Sequence, residues 1–156
     1  MHNEHKYNKG FIVTEKDVLT WIEAQVEHLH AQAQVLVDDY WLRVKKVQKT
    51  QPNSGKARIG VRIRRRETCL SFSIEWFRMA MIRENGRMKP IAQYLKKGLG
   101  SRYPLERFLK SEPDWETELV EELETEFADM RKQINLLGKI RDAVQNYRKA
   151  LLPDNK

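Results

Sequence analysis

The chain has 156 residues, of which 40% are hydrophobic and 33% charged, and its formal net charge is +7. This length suits a single domain, residues 1–156, with a moderate core. No run of about 18 apolar residues is present, which excludes an ordinary membrane-spanning helix, and a single cysteine excludes an internal disulfide. Because the N-terminus lacks the apolar stretch of a signal peptide, we expect a cytoplasmic protein without a membrane partner.

The positive charge is concentrated in the middle of the chain. Lys and Arg outnumber Asp and Glu by 19 to 4 in residues 43–110, whereas acidic residues predominate by 7 to 3 before this stretch and by 11 to 7 after it. A concentrated positive field attracts polyanions. We therefore expect the binding surface in the middle third, between two structural flanks.

A long first helix is predicted over about residues 14–49, after a flexible segment at residues 1–13. Thr14 and Asp17 have the spacing of a capping box. From Val18 onward, apolar residues recur at steps of three and four, which indicates one apolar stripe on a helix about 50 Å long. Pro52 follows and ends the helix.

An arginine-rich strand is predicted over about residues 56–66, KARIGVRIRRR. Ile59, Val61 and Ile63 alternate with arginines, and side chains of a strand point to opposite faces at a period of two. The pattern therefore indicates a half-buried strand whose outer face is a row of guanidinium groups.

A second strand is predicted over about residues 69–83. Alternate residues from Leu70 to Trp76 are apolar and form its buried face, so Trp76 is expected in the core rather than on a base-stacking surface. Cys69 lies at the start of this apolar stretch, and we expect it to be a buried small side chain without redox function.

A hairpin leads into a third strand, predicted over about residues 87–97. Asn85 and Gly86 tolerate positive φ and are the strongest short hairpin motif. Pro90 lacks a backbone donor, which favours an edge position for this strand. Three consecutive antiparallel strands make a meander.

The last helix is predicted over about residues 112–150, with Ser111 as its cap and acidic residues in its first turns. An apolar stripe extends from Trp115 to Leu151. The fold class is therefore α+β, with two long helices flanking a small sheet. Whether the helices pack antiparallel in one chain or pair between copies stays open; a homodimer is expected. The organisation is a long helix (14–50), a basic meander (56–103) and a second long helix (112–150).

The candidate DNA-binding residues are the cations of the meander and of the loop that follows it. They are Arg58, Arg62, Arg64, Arg65, Arg66, Arg78, Arg83, Arg87, Lys89, Lys96, Lys97 and Arg102. Neutralising phosphates releases condensed counter-ions, so such a set favours duplex DNA. Three alternatives stay open: a solvated sheet face in a coiled-coil protein-interaction adaptor, a surface for an acidic protein or a membrane, and an RNA-binding regulator that stacks bases on Phe77 or Tyr103.

Catalytic and cofactor motifs are not indicated. The lysines and glycines of residues 96–101 lack the spacing of a phosphate-binding loop. The four histidines fall within the first 30 residues, away from the basic region, and do not suggest a shared metal site. We expect a non-enzyme without cofactor or metal, and a small metal-dependent nuclease is the least favoured alternative.

Three segments of the chain resemble the MobI family of conjugative transfer proteins. They are SIEWFR at 73–78, YLKKGLGSRYPLERF at 94–108 and DWETELVEELETEFADMRKQINLLGKIR at 114–141, within a match covering about residues 36–141. The resemblance implies an auxiliary protein of mobile elements, such as integrative conjugative elements and related plasmids. Such a protein would bind the origin of transfer and assist the relaxase in relaxosome assembly. The arginines at 58–66, Arg78 and the segment 96–102 would contact that DNA.

Overall fold

The computed structural model describes residues 12–153 and has α+β architecture, as predicted. The elements are α1 (Glu15–Thr50), β1 (Ile59–Arg65), β2 (Phe72–Glu84), β3 (Arg87–Tyr94), a short α2 (Leu105–Phe108) and α3 (Asp114–Leu151). The predicted flexible segment lies outside the described residues except for its last two positions. Within residues 12–153, no helix has an apolar stretch long enough to span a bilayer.

Helix α1 begins at the predicted capping box. The Thr14 hydroxyl accepts a hydrogen bond of 3.2 Å from the Asp17 amide, and the Asp17 carboxylate accepts one of 2.9 Å from the Thr14 amide. These bonds satisfy donors that the first turn leaves unpaired. The buried stripe of α1 runs from Ile22 to Val44 at helical spacing. It includes Val37, while the preceding Leu36 is half-buried.

Helix α3 begins at Asp114, with Pro113 as its N-cap residue and no side-chain cap. The predicted cap by Ser111 is therefore wrong: that residue precedes the helix by a turn. The buried stripe of α3 ends at Leu137. In the predicted continuation, Arg141 and Val144 are half-buried, whereas Tyr147 and Leu151 are exposed.

The two long helices pack antiparallel within one chain. The Trp115 indole, near the start of α3, donates a 3.0 Å hydrogen bond to the Ser54 carbonyl, just after the end of α1. Further along, the Arg43 guanidinium donates to both oxygens of Glu122, at 3.0 and 2.7 Å. The apolar stripes thus cover each other and the inner face of the sheet, by which we mean the face turned toward the helices.

The sheet is the predicted meander, with strand order β1-β2-β3 and both pairs antiparallel. Asn85 and Gly86 adopt positive φ values of 51° and 76° between β2 and β3, so the hairpin is confirmed. Pro90 lies on β3, an edge strand of this sheet, as its missing donor predicts.

The connection between β1 and β2 departs from the prediction. Strand β2 begins at Phe72, and the preceding residues form a turn closed by a 3.0 Å bond from the Cys69 amide to the Arg66 carbonyl. Cys69 is exposed and Leu70 retains 40% of its accessible surface, so the expectation that both are buried is wrong. Pairing between β1 and β2 ends at Arg65 opposite Phe72, so residues 66–71 lie outside the sheet.

Trp76 is the centre of the core and has no accessible surface, as predicted. Its ring makes edge contacts with Tyr40 of α1 and Phe127 of α3, at centroid distances of 5.4 and 5.8 Å. The Tyr40 hydroxyl donates to the Ile59 carbonyl. One aromatic side chain of β2 therefore joins both long helices to the inner face of the sheet.

Candidate nucleic-acid interface

The predicted arginine row lies on the outer face of the sheet, opposite the helices. The register places Arg62 opposite Glu75 and Arg64 opposite Ser73. The Glu75 carboxylate lies 3.4 Å from the Arg62 guanidinium and 3.9 Å from that of Arg64. The Arg62 guanidinium also stacks 3.9 Å from the centre of the Tyr94 ring. These contacts hold the row in place and partly neutralise it.

Two other predicted DNA contacts point toward the helices. Arg65 forms an ion pair with Glu27 of α1, and this guanidinium lowers the pKa of the Glu27 carboxyl. Arg78 donates to the Phe108 carbonyl and lies 3.5 Å from the Glu112 carboxylate. Arg65 therefore connects the sheet to α1, and Arg78 connects it to α2 and to the segment before α3.

The remaining predicted contacts lie around β1, on the β2–β3 hairpin and in the following loop. Lys89 lies 3.7 Å from Glu84, and Lys97 donates to the carbonyls of Gly98 and Gly100. Among the described residues, six of the predicted cations are exposed and form no ion pair with a carboxylate. They are Arg58, Arg66, Arg83, Arg87, Lys96 and Arg102.

Aromatic side chains pack against the outer face where the hairpin leaves the sheet. The Trp41 indole reaches from α1 and donates a 3.1 Å bond to the Val61 carbonyl. Its ring lies 6.3 Å from Phe77, which in turn lies 5.8 Å from Tyr94. Gly60 leaves room for this packing, because a Cβ there would stand 2.3 Å from a Phe77 ring carbon.

The aromatic residues proposed as base-stacking candidates are not open rings. Tyr103 keeps only 6% of its accessible surface and lies beneath the Arg131 guanidinium, 4.7 Å from the ring centre. Phe77 is half-buried between Trp41 and Tyr94. Tyr94, which packs beside Phe77, is exposed, at 42%.

Buried charges on α3 position the basic strand, and the sequence reasoning missed them. One oxygen of Glu116 accepts hydrogen bonds from the Arg58 and Ile59 amides, at 2.9 and 2.6 Å. Burial raises the pKa of this carboxyl. Glu124 and Arg131 are likewise buried, and they form an ion pair.

A pattern in the sequence could have identified these residues. Glu116, Val120, Glu124, Phe127 and Arg131 follow one another at steps of four and three, which is the spacing of a buried helical stripe. The predicted stripe, from Trp115 to Leu151, includes Phe127 but none of the other four residues. A charged residue in a buried row indicates a partner inside the protein.

The fold and its cations define a small α+β protein with a basic sheet supported by two long helices. Residues 29–145 match the family described as MobI protein, and the chain belongs to this family. The membership confirms the resemblance seen in the sequence and connects the chain with conjugative transfer. Comparison with curated proteins gives no match, and comparison with solved structures gives none either.

Proposed function

We propose that this protein is a non-enzymatic, cytoplasmic accessory factor of conjugation that binds duplex DNA at an origin of transfer and assists the relaxase there. The observation that carries the proposal is the group of exposed cations without a carboxylate partner, within the described residues, on the hairpin, in the loop after it and around β1. Cations that are not neutralised internally can each replace a counter-ion at a phosphate. Family membership supplies the link to transfer DNA.

The aromatic geometry supports duplex DNA over single-stranded RNA. Recognition of unpaired bases uses exposed aromatic faces on which the bases stack. Tyr103 is buried and Phe77 is enclosed by neighbouring rings, which leaves Tyr94 with Arg62 stacked on it. An extended row of guanidinium groups matches regularly spaced phosphates better than it matches splayed bases.

A protein partner is also proposed, because α1 has a second apolar line that its packing on α3 leaves uncovered. Trp21, Val35 and Leu42 expose 50%, 68% and 66% of their surfaces and follow one another at steps of fourteen and seven. Residues seven apart lie on one side of a helix. This line favours a helical partner, either a second copy or the relaxase. The protein-interaction adaptor is therefore kept as a second proposed function of the same chain.

Fluorescence anisotropy tests the DNA-binding proposal. A labelled duplex from the cognate transfer origin and a scrambled duplex of equal length are titrated at about 50 and 200 mM salt. We expect the cognate duplex to bind roughly 1,000-fold more tightly than the scrambled one at the higher salt. Absence of binding to both duplexes at both salt concentrations would reject the proposal and leave the adaptor function.

The partner proposal is tested on the same protein by light scattering after size exclusion. The variant Trp21→Ser/Leu42→Ser removes two exposed side chains that are not part of the hydrophobic core, so it should fold. A wild-type dimer that becomes monomeric in the variant identifies the second copy as the partner. If both proteins are monomeric, pull-down with purified relaxase decides whether this line binds the relaxase.

A further inference from the structure

The β2–β3 hairpin extends beyond the rest of the sheet as a free ribbon, defined as residues 79–92. Pairing between β1 and β2 ends at Ile59 opposite Arg78, whereas β2 continues with β3 alone to Glu84 opposite Arg87. Six residues of a strand span about 20 Å. An isolated two-stranded ribbon is only marginally stable in water, so a ribbon that protrudes from a core is a candidate binding element.

The outer face of the free ribbon is apolar and uncovered. Met79, Met81 and Met88 lie on this face and expose 43%, 57% and 56% of their surfaces. Pro90 is also exposed and stands directly opposite Met81. Since the chain has five methionines, most of them are concentrated on one side of one hairpin. Methionine side chains are flexible and polarisable, which suits contact with an irregular surface.

The charges around this apolar face specify its partner. Residues 76–103 contain seven Lys or Arg and one acidic residue, Glu84, which pairs with Lys89. Arg83 lies on the same face as the methionines, opposite Met88. A partner that fits must present negative charge at its rim and apolar surface that the methionines can reach. Duplex DNA has this combination, because phosphates line the edges of its grooves and the apolar faces of the bases become accessible where a base step is unstacked.

We propose that the free ribbon enters the minor groove of the bound DNA and that Met81, Met88 and Pro90 wedge against a base step and kink the duplex. The inference rests on the proposed DNA-binding function and adds the mode of contact. Apolar side chains inserted at a base step unstack it and bend the duplex by tens of degrees. The cost of unstacking is offset by phosphate contacts that the bend brings to Arg83, Arg87 and the adjacent loop.

Bending is measured separately from binding. A duplex of about 30 bp from the transfer origin carries a donor and an acceptor dye at its two ends, since a bend in a site of this size shortens the distance between them. Three proteins are compared: wild type, Met81→Ala/Met88→Ala, and the control Ile82→Ala. Ile82 is also exposed, at 38%, but lies on the opposite face of the ribbon. All three changes are in exposed side chains, and urea midpoints verify that the variants are folded.

We expect energy transfer between the dyes to rise when wild type or the Ile82 variant binds. The double methionine variant should bind with the same slope of log affinity against log salt concentration as wild type, and energy transfer should not rise. A double variant that raises energy transfer as wild type does would overturn the wedge while leaving DNA binding intact. Conversion of a wild-type dimer to a monomer by the double variant would also overturn it, because the apolar face would then be an interface between copies. If wild type binds no duplex, the proposed function and the wedge fail together.

Discussion

Glu124 and Arg131 lie two turns apart on α3 and form an ion pair inside the protein core. The carboxylate of Glu124 also accepts a 2.8 Å hydrogen bond from the Trp76 indole. The guanidinium of Arg131 donates to the carbonyls of Ile74 and Ser101, at 3.1 and 3.0 Å. One pair of charges thus fixes α3 to the central strand and to the loop that carries part of the basic surface.

Replacement of Arg131 by Met should destabilise the protein by about 3–5 kcal/mol, because it leaves a buried carboxylate without its cation. In the double variant Glu124→Gln/Arg131→Met, the amide still accepts a bond from Trp76 and neither charge of the buried pair remains. We therefore expect the double variant to be more stable than the single one. Urea unfolding followed by circular dichroism measures both, and a double variant less stable than the single would contradict this account.

Replacement of Gly60 by Ala should destabilise the protein by about 1–3 kcal/mol, since rigid rings cannot yield to the added carbon. A Cβ at Gly60 would stand 2.3 Å from Phe77 and 2.9 Å from Trp41. Gly138 is the matched control: it lies inside α3, and a Cβ there meets nothing within 4 Å. Gly138→Ala should stabilise the protein by up to about 1 kcal/mol. Opposite shifts of the two thermal midpoints are the expected result, and equal shifts would argue against the packing described.

The stability of the wild-type protein should depend on the titration of Glu116. Burial raises the pKa of this carboxyl above its ordinary value of 4.5, so the folded state binds the proton more tightly than the unfolded state does. Its stabilising contribution is complete below pH 4.5 and is lost as the pH rises through the raised pKa.

Glu116→Gln removes this titration and keeps an oxygen acceptor for the Arg58 and Ile59 amides. Relative to wild type, the variant should therefore gain stability as the pH rises from about 4.5. Glu116→Ala leaves the two amides unpaired and should cost about 1–3 kcal/mol throughout. Urea midpoints over a pH series test both statements. If the urea midpoints of wild type and the Gln variant differ by the same amount at every pH, Glu116 is excluded as the titrating group.

Removal of Arg83 and Arg87 should weaken DNA binding and lower the salt slope by about two, one for each phosphate that is no longer neutralised. Arg65→Ala is the comparison, because its guanidinium already pairs with Glu27. Charge reversal at Arg62, Arg64 or Arg65 is less informative, since it would also repel Glu75 or Glu27. Plots of log affinity against log salt give the slopes. An unchanged slope for Arg83→Ala/Arg87→Ala would remove the hairpin from the interface.

The elements of the fold could be predicted because each is determined by local chemistry. The Thr14 capping box, the Asn85-Gly86 turn and the periods of the apolar residues act over a few neighbours. The structure confirms the cap, the turn and the helices and strands that the periods predict, although the buried stripe of α3 is shorter than predicted. The role of the twelve predicted cations in DNA binding stays a prediction. The structure shows which of these cations already contact a carboxylate or a carbonyl of the same chain.

The errors about burial and strand length concern features that depend on distant parts of the chain. Cys69 is exposed because β1 and β2 stop pairing at Arg65, a register that the local pattern cannot give. The free ribbon arises because β2 has thirteen residues and β1 only seven, so the excess length has no partner on that side. The burial of Glu116 and Glu124 likewise requires donors from strands that are far away in sequence.

The unequal lengths of β1 and β2 divide β2 into a segment that the core requires and a segment that it does not. Strand β2 is buried at its first half, from Phe72 to Trp76, and exposed over its last four residues. Substitutions in the exposed half, apart from the Asn85-Gly86 turn, disturb little of the native packing. The tip of the hairpin can therefore change in sequence while the core stays the same, and if the hairpin contacts DNA as proposed, such changes would alter the target without altering the scaffold.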